Sequence, residues 1–143
     1  MSPTELFVGR FDRTLDSKCR IVLPARLRTV FESAGYLAPH EDGCIALWTD
    51  ADFTREADRQ TEREAEGSAA RHEVREWFSH VTRVQMDAQG RMPIPQDLRE
   101  HAALDQDVLV VGVHHRVELW SRHRWEQRDG GSSGSKDEAG EGS

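Results

Sequence analysis

Arg20 and Lys18 share a short polar stretch, Asp16-Ser-Lys-Cys-Arg20, with Arg10 and Arg13 just upstream. An arginine so placed can do two kinds of chemistry. Its planar fork of donors can read guanine O6 and N7 in the DNA major groove. It can also close on the carboxylate four residues back and brace a turn, as Arg20 would on Asp16. Both roles stay open for Arg20. Lys18 offers a point charge for a phosphate. Arg10 and Arg13 add positive charge on the segment leading in. Asp16 suits capping or bracing, because a carboxylate repels phosphate. A second stretch, Asp87-Ala-Gln-Gly-Arg91, repeats the acid and the arginine but carries Gln89 where the first has Lys18. Asp87 and Arg91 are therefore assigned to hairpin bracing, and the first stretch to reading.

Both stretches belong to a longer repeat. Asp16-Ser-Lys-Cys-Arg-Ile-Val-Leu-Pro-Ala-Arg-Leu-Arg28 aligns with Asp87-Ala-Gln-Gly-Arg-Met-Pro-Ile-Pro-Gln-Asp-Leu-Arg99. Cys44-Ile-Ala-Leu-Trp48 then aligns with Arg116-Val-Glu-Leu-Trp120, and Phe53 with Trp125. A repeat is the first thing to settle, because it fixes the architecture.

The elements that must hold these residues follow from periodicity. Phe7, Gly9 and Phe11 alternate with Val8, Arg10 and Asp12, which predicts a strand. A turn follows at 15–19, then a strand carrying Ile21 and Leu23. Pro24 and Pro95 suit a helix start. Leu27, Val30, Phe31 and Ala34 recur at helical spacing, as do Leu98 and Ala102. A second hairpin is read at 107–120 with His114-His115 as its turn. In the first copy Pro39 interrupts the equivalent strand and predicts a short or edge strand. Pro93 likewise marks an edge. Residues 50 to about 66 read as a charged helix, Gly67-Ser68 as a break, and a further helix runs to about Phe78 with Val74, Trp77 and Phe78 on one face.

One such unit of roughly 45 residues buries too little apolar surface to fold alone. Two can pack face to face and close a small barrel with pseudo-two-fold symmetry. The expected class is α+β, mainly β with helices. The expected organisation is a first half at 5–53, a helical linker at 54–79, a second half at 80–128, and a disordered acidic Gly/Ser tail at 129–143.

Composition bounds the function. The 143 residues carry a net charge of -7, with 36% hydrophobic and 31% charged residues. That excludes a general nucleic-acid coat. The charge is uneven, however: residues 1–28 hold six bases against three acids, whereas residues 50–76 hold nine acids against five bases. No apolar run approaches a membrane span, and no signal peptide is read, so a cytoplasmic location is expected. Two cysteines, Cys19 and Cys44, are too few for a disulfide scaffold. Seven histidines lack metal-motif spacing, and no metal or cofactor is expected. No nucleophile elbow, Walker loop or dinucleotide motif is present, so no enzyme and no small-molecule substrate are expected. Trp48, Trp120 and Trp125 read as core anchors.

The doubled Asp-x-x-x-Arg-φ-x-φ-Pro-x-x-Leu-Arg pattern around a helical linker resembles the MraZ family of AbrB/SpoVT-like swapped-hairpin barrels. The likeness runs from Phe7-Val-Gly9 to Trp125. Thr14-Leu-Asp-Ser-Lys-Cys-Arg20 is similar to the family's Thr-Leu-Asp-x-Lys-Gly-Arg hairpin, with Cys19 in place of the glycine. Val110-Val-Gly-Val113 and Glu118-Leu-Trp120 resemble its Val-Gly and Glu-Ile/Leu-Trp segments. The resemblance implies a duplicated swapped-hairpin β-barrel and a nucleoid-associated transcription factor, typically a repressor of a division and cell-wall gene cluster. It implies binding of double-stranded DNA at G-rich direct repeats by a ring-shaped homo-oligomer. Arg20 then occupies the motif arginine and Lys18 the motif lysine. The competing reading on the same fold is a protein-interaction or oligomer-modulating paralogue without DNA binding. Cys19 and the acidic body favour that competitor; Arg10, Arg13, Lys18 and Arg20 oppose it.

Overall fold

The computed structural model describes residues 6–32 and 34–128. The first copy contributes β1 (Phe7–Thr14), β2 (Arg20–Val22), α1 (Ala25–Phe31), β3 (Ala34–Pro39), β4 (Ile45–Trp48) and the start of α2 (Asp50–Glu66), which runs on into the linker. After α3 (Arg71–Ser79), the second contributes β5 (Thr82–Gln85), β6 (Arg91–Pro93), α4 (Gln96–His101), β7 (Asp107–His114), β8 (Arg116–Ser121) and α5 (Arg122–Gln127). The architecture is α+β with antiparallel sheets. The tail at 129–143 lies outside the described residues.

Local chemistry sets the boundaries. Pro24 and Pro95 cap α1 and α4, one position before the first helical turn. α1 ends at Phe31 because Glu32 takes a left-handed conformation, so Ala34, expected on the helix, opens β3 instead. Thr49 caps α2 by accepting from the Asp52 amide, and Gly67 ends it in the left-handed region.

The strands pair across the copies. β1 lies on β7 over eight residue pairs, and β5 lies on β3 over four. β2 pairs with β6 to make a two-stranded ribbon in which Ile21 faces Met92. β4 pairs with β8, with Ala46 opposite Glu118. In both cases equivalent residues of the two copies face each other. The remaining strands form one sheet in the order β1-β7-β8-β4-β3-β5.

Pro39 does not make β3 an edge. β3 lies between β4 and β5, and Pro39 is its last residue. The ladder to β5 covers only Ala34 to Leu37, so the missing N–H is never required there. Pro93 closes β6, whose one ladder partner is β2.

The main core draws on both copies: Phe7, Ile21, Leu23, Leu27 and Leu47 pack with Met92, Ile94, Leu98, Val110 and Leu119. At roughly 1.5–3 kcal/mol for each large side chain removed from water, the two halves stabilise each other by covering one another's apolar face. Trp48 and Trp120 are buried, and Trp125 packs on Trp120 as the sequence leads one to expect. Val74 is buried on α3, while Phe78 stays exposed. Cys44 is fully buried beside Trp120. Burial, with the charges of Glu118 and Asp42 added, pushes its thiol far up from its ordinary pKa. Among the described residues no helix is long and apolar enough to cross a membrane.

Candidate nucleic-acid interface

The β2–β6 ribbon fixes which side chains reach solvent. Ile21 and Met92 are fully buried. Alternation along each strand then turns Arg20 and Val22, and Arg91 and Pro93, to the outer face. Arg20 stands opposite Pro93 and Arg91 opposite Val22, so the two motif arginines sit diagonally on one surface.

Each arginine is held by its own aspartate. Asp16 Oδ1 accepts from the Lys18 and Arg20 amides, each at 2.9 Å, and Oδ2 accepts from Arg20 Nε at 2.9 Å. Asp87 repeats this with the Gln89 and Arg91 amides at 2.9 Å and Arg91 Nε at 2.6 Å. Hydrogen bonds from the arginine amides, joined by the guanidinium contacts, hold both carboxyls below the ordinary aspartate value. Bracing is therefore present in both copies. It occupies only Nε: among the described residues the terminal amino groups of Arg20 make no hydrogen bond to protein. The two roles open for Arg20 are compatible, since a braced arginine still presents the end of its fork.

The turns differ in what surrounds this frame. Lys18 is exposed at the tip of the first turn, where Gln89 stands in the second. Arg13 lies across β2, donating from Nε to the Val22 carbonyl at 3.0 Å and from Nη1 to the Asp12 carbonyl at 2.9 Å. It ties β1 to the ribbon while keeping positive charge beside it. Arg10 falls on the other face of β1, with Asp12, which pairs with Arg122 of α5. The structure thus groups Lys18, Arg20 and Arg13 and leaves Arg10 apart.

One residue was missed as a site candidate. Arg26, in the first turn of α1, lies over the Phe11 ring at 5.5 Å. Its equivalent in α4 is Asp97, which binds His80 at 2.6 Å. The repeat alignment already carried that signal, Pro24-Ala-Arg against Pro95-Gln-Asp: a cation in one copy and an anion in the other.

The site's geometry meets its relatives here. Residues 77–133 match the family model described as "MraZ protein, putative antitoxin-like". A protein of Heliobacterium modesticaldum named "Transcriptional regulator MraZ" is 34% identical over 136 residues, 95% of each chain. Proteins of the same name from Moorella thermoacetica and Salinispora arenicola are each 36% identical, over 122 and 121 residues, 85% of each chain in both cases. The chain belongs to the MraZ family. As a MraZ-family chain it departs from the turn glycine at Cys19, which takes a φ of 59°, against 81° for Gly90 in the second copy. A side chain there costs on the order of 1 kcal/mol. Cys19 is partly exposed there. At Gly90 a Cβ would collide with the Arg28 guanidinium. Arg99, the equivalent of Arg28, instead donates to the Ile94 carbonyl at 2.9 Å. Each turn is also stitched to the other copy, Leu23 N to Gly90 O at 2.9 Å and Ile94 N to Cys19 O at 3.0 Å.

Proposed function

We propose that this chain is a transcriptional regulator that binds double-stranded DNA through the outer face of the β2–β6 ribbon. Arg20 reads guanine in the major groove, Lys18 contacts phosphate, and Arg13 adds positive charge from the first copy. Arg10, on the far face of β1, contributes only long-range attraction. Asp16, Asp87 and Arg91 hold the two turns in shape. The observation that carries this reading is the Asp16–Arg20 pair: Nε is engaged by the carboxylate and the end of the fork is uncommitted. A charge-assisted pair of this kind fixes the guanidinium plane before DNA arrives, which lowers the ordering cost of a bidentate contact.

The acidic body weakens binding by a single copy. Assembly into a ring that meets several G-rich direct repeats at once offsets this through effective concentration. The family resemblance supports that arrangement, a nucleoid location in the cytoplasm, and repression of a division and cell-wall gene cluster.

The test is selection from a random duplex library at moderate salt, followed by competition between the recovered element and a scrambled duplex. A repeated G-rich element is expected. Arg20→Ala removes roughly 1–3 kcal/mol of discrimination, about 5- to 150-fold. Arg91→Ala lowers the melting temperature more than it lowers affinity. Equal specificity in Arg20→Ala rejects the reading role. Recovery of no sequence by folded protein favours an interaction module, the reading that Cys19 and the acidic body support.

A further inference from the structure

We propose that His40, Cys44 and Glu118 form a binding site for one divalent cation of the zinc class. A ring nitrogen of His40, the Cys44 sulfur and a Glu118 carboxylate oxygen all lie within 4.8 Å of one another. Nitrogen, sulfur and oxygen donors in one cluster suit a borderline-soft ion with tetrahedral preference. Ligands on such an ion sit roughly 3–4 Å apart, given metal–ligand bonds of about 2.0–2.3 Å. The cluster must therefore close by about an ångström. Cys44 and Glu118 are buried and fixed; His40 is half-buried and supplies the movement.

The backbone around the donors is already held. In the loop between β3 and β4, His40 N donates to Cys44 O and Gly43 N to His40 O, each at 2.9 Å. Trp77 Nε1 donates to Pro39 O at 2.9 Å, and His101 Nε2 lies 2.8 Å from His40 O. Arg124 Nη1 donates to Gly43 O at 2.8 Å. Contacts from three helices thus fix a loop whose two side-chain donors face a carboxylate on β8. A site needs this kind of supporting shell.

The charges allow it. The Cys44 thiol, protonated while the site is empty, releases its proton to solvent as the cation binds, and the resulting thiolate and the Glu118 carboxylate together neutralise the divalent charge. Glu118 already accepts from Arg116 Nε at 2.8 Å and from Trp120 Nε1 at 2.9 Å, but each carboxylate oxygen has a second lone pair. Arg116 is one-third exposed, so it can turn toward solvent as the cation enters. Asp42 completes the arrangement. Its carboxylate lies 3.7 Å from His40 Nδ1. When Nε2 is the ligand, Nδ1 carries the ring proton, and this carboxylate is placed to accept it. Asp42 N–H then gives up its present bond to Nδ1. The site belongs to neither copy alone: His40 and Cys44 come from the first and Glu118 from the second. Copy two has Arg116 where copy one has Cys44, so the repeat yields one such site and not two.

The experiment titrates the full chain, first stripped with a chelator, with Co²⁺. A thiolate-to-cobalt charge-transfer band is expected at one equivalent, and Zn²⁺ should displace it. The band should vanish in Cys44→Ala and persist in Cys19→Ala. His40→Ala, at a half-buried loop position, should weaken Zn²⁺ competition at least about 100-fold, since loss of outer-shell partners alone costs 10- to 100-fold. Should Cys44→Ala fail to fold, wild type and His40→Ala decide. Absence of a thiolate band in folded wild type overturns the site. So does a band that follows Cys19, or a Zn²⁺ affinity indifferent to His40→Ala.

Discussion

In the first copy Asp16 takes two backbone amides and one arginine Nε, and in the second Asp87 takes the same three donors. The turn frame has been kept while residues around it have changed: Lys18 against Gln89, Cys19 against Gly90, Arg26 against Asp97. The ladders beside the frame differ as well. β1 meets β7 over eight pairs, but β5 meets β3 over four. The residues equivalent to Phe7 and Val8 are Phe78 and Ser79, which finish α3 and cannot extend a strand. The residue equivalent to Gly112 is His40, which follows Pro39. Phe7 is buried and stacks on Phe31 with ring centroids 5.0 Å apart, whereas Phe78 is exposed. One frame thus supports a long basic arm in one copy and, in the other, a short arm beside β3, the strand that the acidic helix α2 covers together with α3.

The largest effect should come from breaking the long ladder. A Cβ on Gly112 would collide with the backbone of Phe7 and Val8, which cannot rotate away. Gly112→Val should cost about 3 kcal/mol or more in denaturant unfolding, the upper end of overpacking penalties. His40→Ala, at the equivalent place, should cost about 1 kcal/mol in chelator-treated protein, since a half-buried side chain is lost but no ladder to β5 reaches it. Similar losses at both positions would mean that the two ladders carry equal weight.

The turns provide the next contrast, with opposite signs. Gly90→Cys adds left-handed strain and pushes the flexible end of Arg28 aside, and should destabilise by about 1 kcal/mol. Cys19→Gly relieves strain at a φ of 59° and should stabilise by up to about 1 kcal/mol. Loss of stability in Cys19→Gly would show that the Cys19 side chain contributes contacts outweighing the strain. On the DNA side, Lys18→Gln should flatten the dependence of log K on log salt by about 0.9, the value of one phosphate contact. Gln89→Lys should leave that slope unchanged. An equal and opposite response would make both copies DNA-facing.

Much of this was legible in the sequence because repetition acts as its own alignment. The strand and helix order and the α2–α3 break at Gly67 followed from residue type and spacing, whereas the positive φ at Cys19 is seen only in the backbone. The swap of partners had no local signal, although the family resemblance implied it. Nothing in β1 alone shows that it lies on β7 and not on β2. Pro39 does end a strand shorter than its equivalent β7, but the edge reading failed for the same reason: its cost depends on whether a neighbour needs its N–H, and the ladder of β5 stops two residues short. Arg20 remained double because composition cannot say which donors a carboxylate takes. The hydrogen bond to Nε alone answers that.

The smallest predicted effect tests the acidic side of the asymmetry. His80, just past α3, has Nδ1 2.6 Å from Asp97 and Nε2 3.0 Å from Glu76. Hydrogen bonds to Asp97 first and Glu76 second raise its pKa above the ordinary 6.5. Asp97 is in turn lowered below 3.8, chiefly by the bond to His80. The histidine's contribution to stability is complete below 6.5 and is lost as pH rises through its raised folded value. The aspartate's is complete above 3.8 and is lost as pH falls through its lowered folded value. The bridge therefore stabilises most between those limits. His80 is more than a third exposed, so solvent screening keeps the gain small. His80→Gln should lower the melting temperature slightly at pH 5.5 and hardly at all at pH 9, measured by scanning calorimetry at low salt. Arg26, the equivalent of Asp97, meets a ring and not a titrating partner. Arg26→Gln should consequently shift stability by the same amount at both pH values. If the His80→Gln difference is flat with pH, the bridge is not holding α3 to α4, and the acidic cover rests on its apolar contacts alone.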